Sequence, residues 1–268
     1  MTINVYTIGG GQMSEAILRA ALKRKIVSSQ SVTITDVSEK RVTYLKKEYG
    51  FNAVQAFDEN AATQADIVLV GVRPQDDWKE VLRRIGELQT KAQIISIIAG
   101  VTLKQLEAAL NSQRAQVTRI IPNTLTDTGF GYSGVCLGEY AAKEIVTPFI
   151  ESFGKVDFIP EAQIDAYTGY AVCGPNYVYN FYLALTNAGV LAGLSRQQAN
   201  KIALENIKGA AAFLEDTKKH PYELLDTNNS AGGCGITLQH EIDASTFAAG
   251  LQNAVLAAVD KATELGGE

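Results

Sequence analysis

The chain has little that would staple it, anchor it or charge it heavily. Three cysteines in 268 residues, Cys136, Cys173 and Cys234, are odd in number and far apart. That excludes a disulfide framework and the paired spacing of a zinc site. Two histidines, His220 and His240, supply no ligand cluster, so no metal is expected. No apolar run approaches the ~20 residues that cross a bilayer, and residues 1–5 read straight into a structural motif without a charged leader. Charge of one sign is also missing: 24 basic and 29 acidic residues leave a net charge of -5 without a long block of either. Neither a nucleic-acid backbone nor a membrane surface is therefore the expected partner. There is no internal repeat or low-complexity tract, and a reducing cytoplasm is the expected location.

What is present is the composition of a globular chain, 46% hydrophobic and 20% charged. A chain of this mass can bury roughly three quarters of its surface and needs no staple. An apolar run over 3–8 leads into Gly9-Gly10-Gly11-Gln12-Met13-Ser14, after which Met13, Ala16, Ile17, Ala20 and Ala21 recur at helical spacing. That is strand, glycine turn, helix. A second strand over 31–35 ends at Asp36; Ser38 can cap the next helix, which carries Val42 and Leu45 and which Gly50 ends. Strands over 66–72 and 93–98 alternate with helices carrying Trp78, Val81, Leu82 and Ile85, then Leu103, Leu106 and Leu110. Further strands are expected over 117–121, 132–137 and 155–159, with a helix over about 141–153. Near-continuous Val, Ile and Leu suits a sheet covered on both faces.

The expected fold is an α/β Rossmann domain with a mostly parallel, doubly wound sheet over 1–160, followed by an all-helical domain over 161–268. In the second part 177–191, 196–214 and 246–265 read as apolar-striped helices; Pro175 and Pro221 suit first turns, and Gly193, Gly232, Gly233 and Gly235 mark turns. Apolar stripes left over from its own core make a homodimer the expected assembly.

Gly9-x-Gly11-x-x-Ser14 between a strand and a helix is the context of a dinucleotide site. Gly9 permits the tight turn, Gly11 lets a pyrophosphate approach the backbone, and small Ser14 lets helix and strand pack. The helix amino terminus attracts the negative charge. Asp36 at the end of the second strand is placed to accept hydrogen bonds from an adenosine ribose and to repel a 2′-phosphate. It favours NADH over NADPH, while Lys40 and Arg41 close behind could soften that preference. A carboxylate there would equally suit a helix amino terminus that binds nothing.

Other short patterns follow in order. Val72-Arg73-Pro74-Gln75, Ile98-Ala99-Gly100-Val101 and Pro122-Asn123-Thr124 each come after a strand. Later come Asp165-Ala166, Thr168-Gly169, Gly174-Pro175-x-Tyr177, Ala188-Gly189-Val190, Ala192-Gly193-Leu194, His220-Pro221, Ser230-x-Gly232-Gly233 and Asn253-Ala254-Val255. With Gln12-Met13 in the glycine turn, the series resembles the pyrroline-5-carboxylate reductases over nearly the whole chain. The resemblance implies an NADH- or NADPH-dependent oxidoreductase that reduces the cyclic imine 1-pyrroline-5-carboxylate to L-proline by hydride transfer, in interlocked dimers. Beside Gly9, Gly11 and Asp36 it implies that Gln12, Met13, Val72, Arg73, Pro74, Ala99 and Asn123 line the cofactor. Two glycine loops, Gly174 with Asn176 and Tyr177, and Gly232, Gly233, Cys234 and Gly235, would hold the substrate carboxylate.

The departures from the family fall in those loops. Ala171-Val172-Cys173 stands where the family usually reads Ser-Gly-Ser, and Gly235 where it has a threonine near the imine nitrogen. The nearest hydroxyl and candidate catalytic side chain is Thr237, although two residues along a helix turn a side chain by about 200°. A donor lost to a buried charged ligand costs on the order of 1.5–3 kcal/mol, and restoring it with Gly235→Thr is expected to raise turnover on the family's substrate. Asn176 and Asn180, one turn apart, either form a different polar pocket for another cyclic imine or satisfy the helix end. A nucleotide-binding regulator that has lost the chemistry is the alternative of a different class. A hydroxyacid dehydrogenase would need a lysine in the helix after the domain boundary, and 174–189 holds none. Cys173 and Cys234 have no base or ligand pattern beside them and read as inert.

Overall fold

A computed structural model describes residues 2–112 and 114–266. The chain forms two compact units: the first runs to Cys173 and takes in the chain again from Ala258, and the second is Gly174–Ala257.

The first unit carries eight strands: β1 (Val5–Ile8), β2 (Val32–Thr35), β3 (Asn52–Val54), β4 (Ile67–Val70), β5 (Gln93–Ser96), β6 (Val117–Ile121), β7 (Tyr132–Leu137) and β8 (Lys155–Phe158). They form one sheet in the order β3-β2-β1-β4-β5-β6-β7-β8. The chain starts in the interior at β1, winds out to β3, crosses back to β4 and winds out the other way. Strand order therefore reverses between β1 and β4, which opens a crevice at the carboxyl ends of those strands. Every pairing is parallel except β6 with β7, which run antiparallel with Ile120 opposite Val135.

Among the described residues six α-helices lie between these strands, α1 (Gln12–Lys23), α2 (Glu39–Tyr49), α3 (Glu59–Gln64), α4 (Trp78–Glu87), α5 (Leu103–Leu110) and α6 (Lys143–Ile150), and α7 (Ile164–Tyr167) follows β8. Alternate strand residues feed opposite faces. Val5, Ile67, Leu69 and Ile95 join Ile17, Leu18, Leu45 and Phe149 in one buried cluster. Tyr6, Val68, Val70 and Ile94 join Leu82, Ile85, Leu106 and Leu110 in the other. Both faces are covered, which is why these strands read as near-continuous apolar runs. Ser38 accepts the Arg41 N–H at the start of α2, and Gly50 ends that helix in the left-handed region at φ 68°. Both were expected. Where α4 meets α5, a Cβ on Gly86 would lie 1.8 Å from the Leu110 carbonyl oxygen, so only glycine allows the approach.

Two elements, β3 and α3, were not anticipated; the sheet is mostly parallel as expected, and the reversal of direction falls at β7. After α7 the chain makes a widened π-turn over Thr168–Val172.

The second unit is helical: α8 (Gly174–Leu191), α9 (Arg196–Thr217), α10 (Pro221–Asn228), α11 (Cys234–Ala244) and α12 (Phe247–Gly266), whose last turns lie in the first unit. Ser195 and Gln198 cap α9 reciprocally, and Pro221 opens α10. Gly193 and Gly232 take positive φ in turns, as expected. Gly235 does not mark a turn: it is the second residue of α11. Phe181, Leu183, Leu191, Leu238 and Leu256 are exposed. Among the described residues no single helix is long and apolar enough to cross a membrane.

Candidate dinucleotide and substrate sites

The turn between β1 and α1 uses three glycines for three reasons. Gly9 has φ +91°, and a Cβ there would meet the Gly71 carbonyl oxygen at 2.7 Å. A Cβ on Gly10 would lie 2.7 Å from Leu45 Cδ1 and 3.2 Å from Ile34 Cγ2. Gly11 is the opposite case, because nothing lies within 4 Å of a Cβ built on it. It is also the N-cap of α1, and no side chain caps that end among the described residues. First-turn N–H groups are thus left for a ligand, and the backbone is open to its approach. Ser14 is 1% exposed, and its Oγ would lie 2.1 Å from a Cβ on Gly71. The close packing of α1 on β4 therefore needs a small residue on one side and none on the other.

Asp36 braces this turn. Its Oδ2 accepts the Gly10 N–H at 2.9 Å and its Oδ1 the Ser38 N–H at 2.9 Å. These bonds fix the carboxylate at the end of β2, and each oxygen keeps acceptor capacity. Gly9, Gly11, Asp36, Val72 and Arg73 all line one cleft of about 850 Å³ at the reversal of strand order, together with Thr35, Val37, Phe57, Gly71 and Arg84. The Arg84 guanidinium lies 4.1 Å above the Phe57 ring centroid, and Phe57 meets Tyr6 edge-on at 5.7 Å. Tyr6 is buried, which pushes its hydroxyl above the usual phenol range. It bonds to Thr35 Oγ1 at 2.8 Å, stiffening the floor of the cleft.

Arg73 pairs with Asp76 at 2.7 Å, and Asp76 Oδ2 accepts the Arg73 N–H at 2.9 Å. This pairing holds the Asp76 carboxyl below its ordinary range. Gln12, Met13, Pro74, Ala99 and Asn123 do not line the cleft. Met13 packs on the core; Gln12, Pro74 and Ala99 are exposed. Asn123 is buried, its Oδ1 accepting the Leu125 and Tyr132 N–H groups at 3.1 and 3.4 Å while its Nδ2 donates to the Ala171 carbonyl at 3.3 Å. That last bond pins the π-turn at the place of the family's Ser-Gly-Ser.

Arg41, one of the two basic residues that could soften the preference set by Asp36, is engaged on the glycine turn. Its Nε donates to the Gly10 carbonyl, its Nη2 donates to the Gly11 carbonyl at 3.3 Å, and Nη2 pairs with Glu15 Oε2. Sequence reading missed Glu15 altogether. Its signal, a carboxylate among apolar Met13, Ile17 and Leu18, was present but unassigned.

In the second unit Gly174 opens α8, with Pro175 buried, Asn176 exposed and Tyr177 half-buried. Asn180 Nδ2 donates to the Asn176 backbone carbonyl at 2.8 Å, so the Asn180 amide serves the helix backbone. At the other loop Gly232 takes φ +66° and Gly233 is the N-cap of α11, where among the described residues no side chain caps. Cys234 is exposed at the first helical position. A Cβ on Gly235 would meet the Asn228 carbonyl oxygen at 2.5 Å and Asn229 Oδ1 at 2.7 Å. A threonine does not fit there without moving the α10–α11 connection, which removes the simple expectation for Gly235→Thr. Thr237 Oγ1 donates to the Gly233 carbonyl at 3.1 Å, so its proton points into its own helix. Cys136 is buried, which pushes its thiol up to about 11, and Cys173 is half-buried. Among the described residues no cluster of His, Cys, Asp or Glu could hold a metal.

A doubly wound sheet with an open glycine turn, an uncapped helix end and a strand-end carboxylate in one cleft, followed by a helical unit, defines a dinucleotide-binding protein of the two-part Rossmann class. The family model described as pyrroline-5-carboxylate reductase dimerisation matches residues 161–265. One described as NADP oxidoreductase, coenzyme F420-dependent, matches 4–100. The pyrroline-5-carboxylate reductase of Synechocystis sp. is 31% identical over 99% of both chains. That of Arabidopsis thaliana is 32% identical, covering 98% of this chain and 96% of its own. The crystal structure of Plasmodium falciparum pyrroline carboxylate reductase with NADP bound matches with a TM-score of 0.86 and 27% identity, covering 98% of each chain. The chain belongs to the pyrroline-5-carboxylate reductase family.

Proposed function

We propose that this protein reduces the C=N bond of 1-pyrroline-5-carboxylate to give L-proline, using NAD(P)H with NADH preferred. The observation that carries the reading is the cleft in which Gly9, Gly11 and Asp36 meet, in a chain aligned end to end with reductases of that name. Open space before Gly11 and the uncapped start of α1 fit a pyrophosphate. Asp36, already oriented by two backbone N–H groups, is the acceptor for ribose hydroxyls. A 2′-phosphate beside it would set like charges together, and Arg41 is engaged by Glu15 rather than offered to that phosphate. When bound, the nicotinamide supplies the hydride.

In the second unit the starts of α8 and α11 present backbone N–H groups suited to a carboxylate. With Gly235 in place of the family's threonine and Thr237 turned inward, these N–H groups stand in for the missing hydroxyl. The same observation favours a second reading, in which another cyclic imine is the substrate, because the connection before α11 closes over position 235. The exposed apolar side chains of the helical unit support a homodimer. Three unpaired cysteines support a reducing cytoplasm.

The test is the oxidation of NADH, and separately NADPH, by purified protein with 1-pyrroline-5-carboxylate, followed at the nicotinamide absorbance. Expected is turnover on the order of 1 per second or faster, with kcat/KM for NADH higher than for NADPH. Tight NADH binding without turnover, together with reduction of a different cyclic imine, would replace the substrate. A higher kcat/KM for NADPH would reverse the cofactor preference.

A further inference from the structure

Glu15 is a carboxylate at 4% exposure in the first turn of α1, the helix whose positive end faces the cleft. A bare negative charge there would oppose an incoming phosphate. Instead Oε1 accepts from Arg19 Nη1 at 3.0 Å, from Tyr44 at 3.0 Å and from Tyr49 at 2.6 Å, and Oε2 takes the Arg41 guanidinium. Burial pushes the Glu15 carboxyl up, but the bonds from Tyr49, Arg41 and Tyr44 together bring it below its ordinary value.

The consequence lies with Arg41. The Gly10 peptide is gripped from two directions, its N–H by Asp36 and its carbonyl by Arg41. The guanidinium is further fixed by the Gly11 carbonyl at 3.3 Å and by the Tyr44 ring, whose centroid is 5.0 Å away. An arginine shortly after the strand-end carboxylate is the kind of residue that receives a 2′-phosphate in this fold. Here it stands five positions after Asp36 and is occupied.

We infer that Glu15 sets the cofactor preference as a positioning residue: by holding Arg41 on the glycine turn it withholds the guanidinium from a 2′-phosphate, leaving Asp36 to select NADH. This rests on the NAD(P)H reading above. Glu15 touches no cofactor in this account and acts only through Arg41.

The test is a direct titration of purified protein with NADH and with NADPH, without imine, followed by nicotinamide fluorescence. Glu15→Gln keeps the shape of the side chain and removes its charge. The Kd for NADPH is expected to fall about tenfold, the size of one charge-assisted phosphate contact, while that for NADH moves less than twofold. Adding Arg41→Ala to Glu15→Gln should abolish the NADPH gain. A purely structural role would shift both affinities alike, and that result, or an NADPH gain that survives the loss of Arg41, overturns the inference. Should Glu15→Gln fail to fold, Arg41→Ala alone decides. A ratio of the two Kd values within twofold of the parent supports the inference, and a tenfold loss confined to NADPH overturns it. Failure of the parent protein to bind either dinucleotide would remove the underlying reading too, whereas NADH binding with an unmoved ratio removes only the role of Glu15.

Discussion

A methyl group on Gly235 would press on the backbone carbonyl of Asn228 at 2.5 Å, and a carbonyl in a tight connection cannot swing away as a side-chain tip can. Gly235→Ala should therefore lower stability by about 1–3 kcal/mol, the usual cost of overpacking. Gly235→Thr should cost at least as much without raising turnover. Urea unfolding midpoints and steady-state rates for the two variants check this, and an unchanged midpoint with faster turnover would show that the loop yields. At this scale, what could be read in advance depends on distance along the chain. Gly9 was legible because the turn that needs it is local. Gly10 and Gly71 were not, since the atoms they avoid belong to Leu45 and to Ser14, which come from other elements. The place of Asp36 in the cleft follows from its strand-end position, but the engagement of Arg41 by Glu15 depends on side chains of α2 reaching α1 from far along the chain.

Secondary-structure elements show the same division. Strands such as Val117–Ile121 and Tyr132–Leu137 were legible at full length because strand-forming Val, Ile, Thr and Tyr recur in them, even though Arg119 and Gly134 interrupt the apolar residues. β3 has three residues and one buried side chain, Ala53, too few for any periodicity to register. The reversal of β7 was not legible because a strand alternates identically whichever way it runs. The pairing of α1 with α2 carries a pH dependence. Glu15 is held below its ordinary value of 4.5, so the folded state binds its proton less readily than the unfolded chain. Its contribution is complete above about pH 4.5 and is lost as pH falls through the lower folded value. Urea midpoints taken from pH 7 down into that range should fall more steeply for the parent than for Glu15→Gln; parallel curves would deny the carboxylate this role.

For the molecule as a whole, two compact units and an apolar helical surface make the single chain an incomplete account of the protein. Phe181, Leu183, Leu191, Leu238 and Leu256 are large apolar side chains left exposed in the helical unit, surface that a second copy can bury. Sedimentation at micromolar concentration should therefore give twice the chain mass of 28.8 kDa or a higher multiple, and one species at the chain mass would refute the dimer. The expected boundary near residue 160 came from a change in composition, whereas the compact units divide at Cys173 and the first regains the chain at Ala258. The close fits behind that return are specific. A Cβ on Gly169 would strike the Val259 backbone nitrogen at 2.6 Å, and one on Gly100 the Leu265 carbonyl oxygen at 2.6 Å. During synthesis those places therefore stay unfilled until every residue of the helical unit has been made, and an interrupted message would yield a first unit that lacks its closing piece.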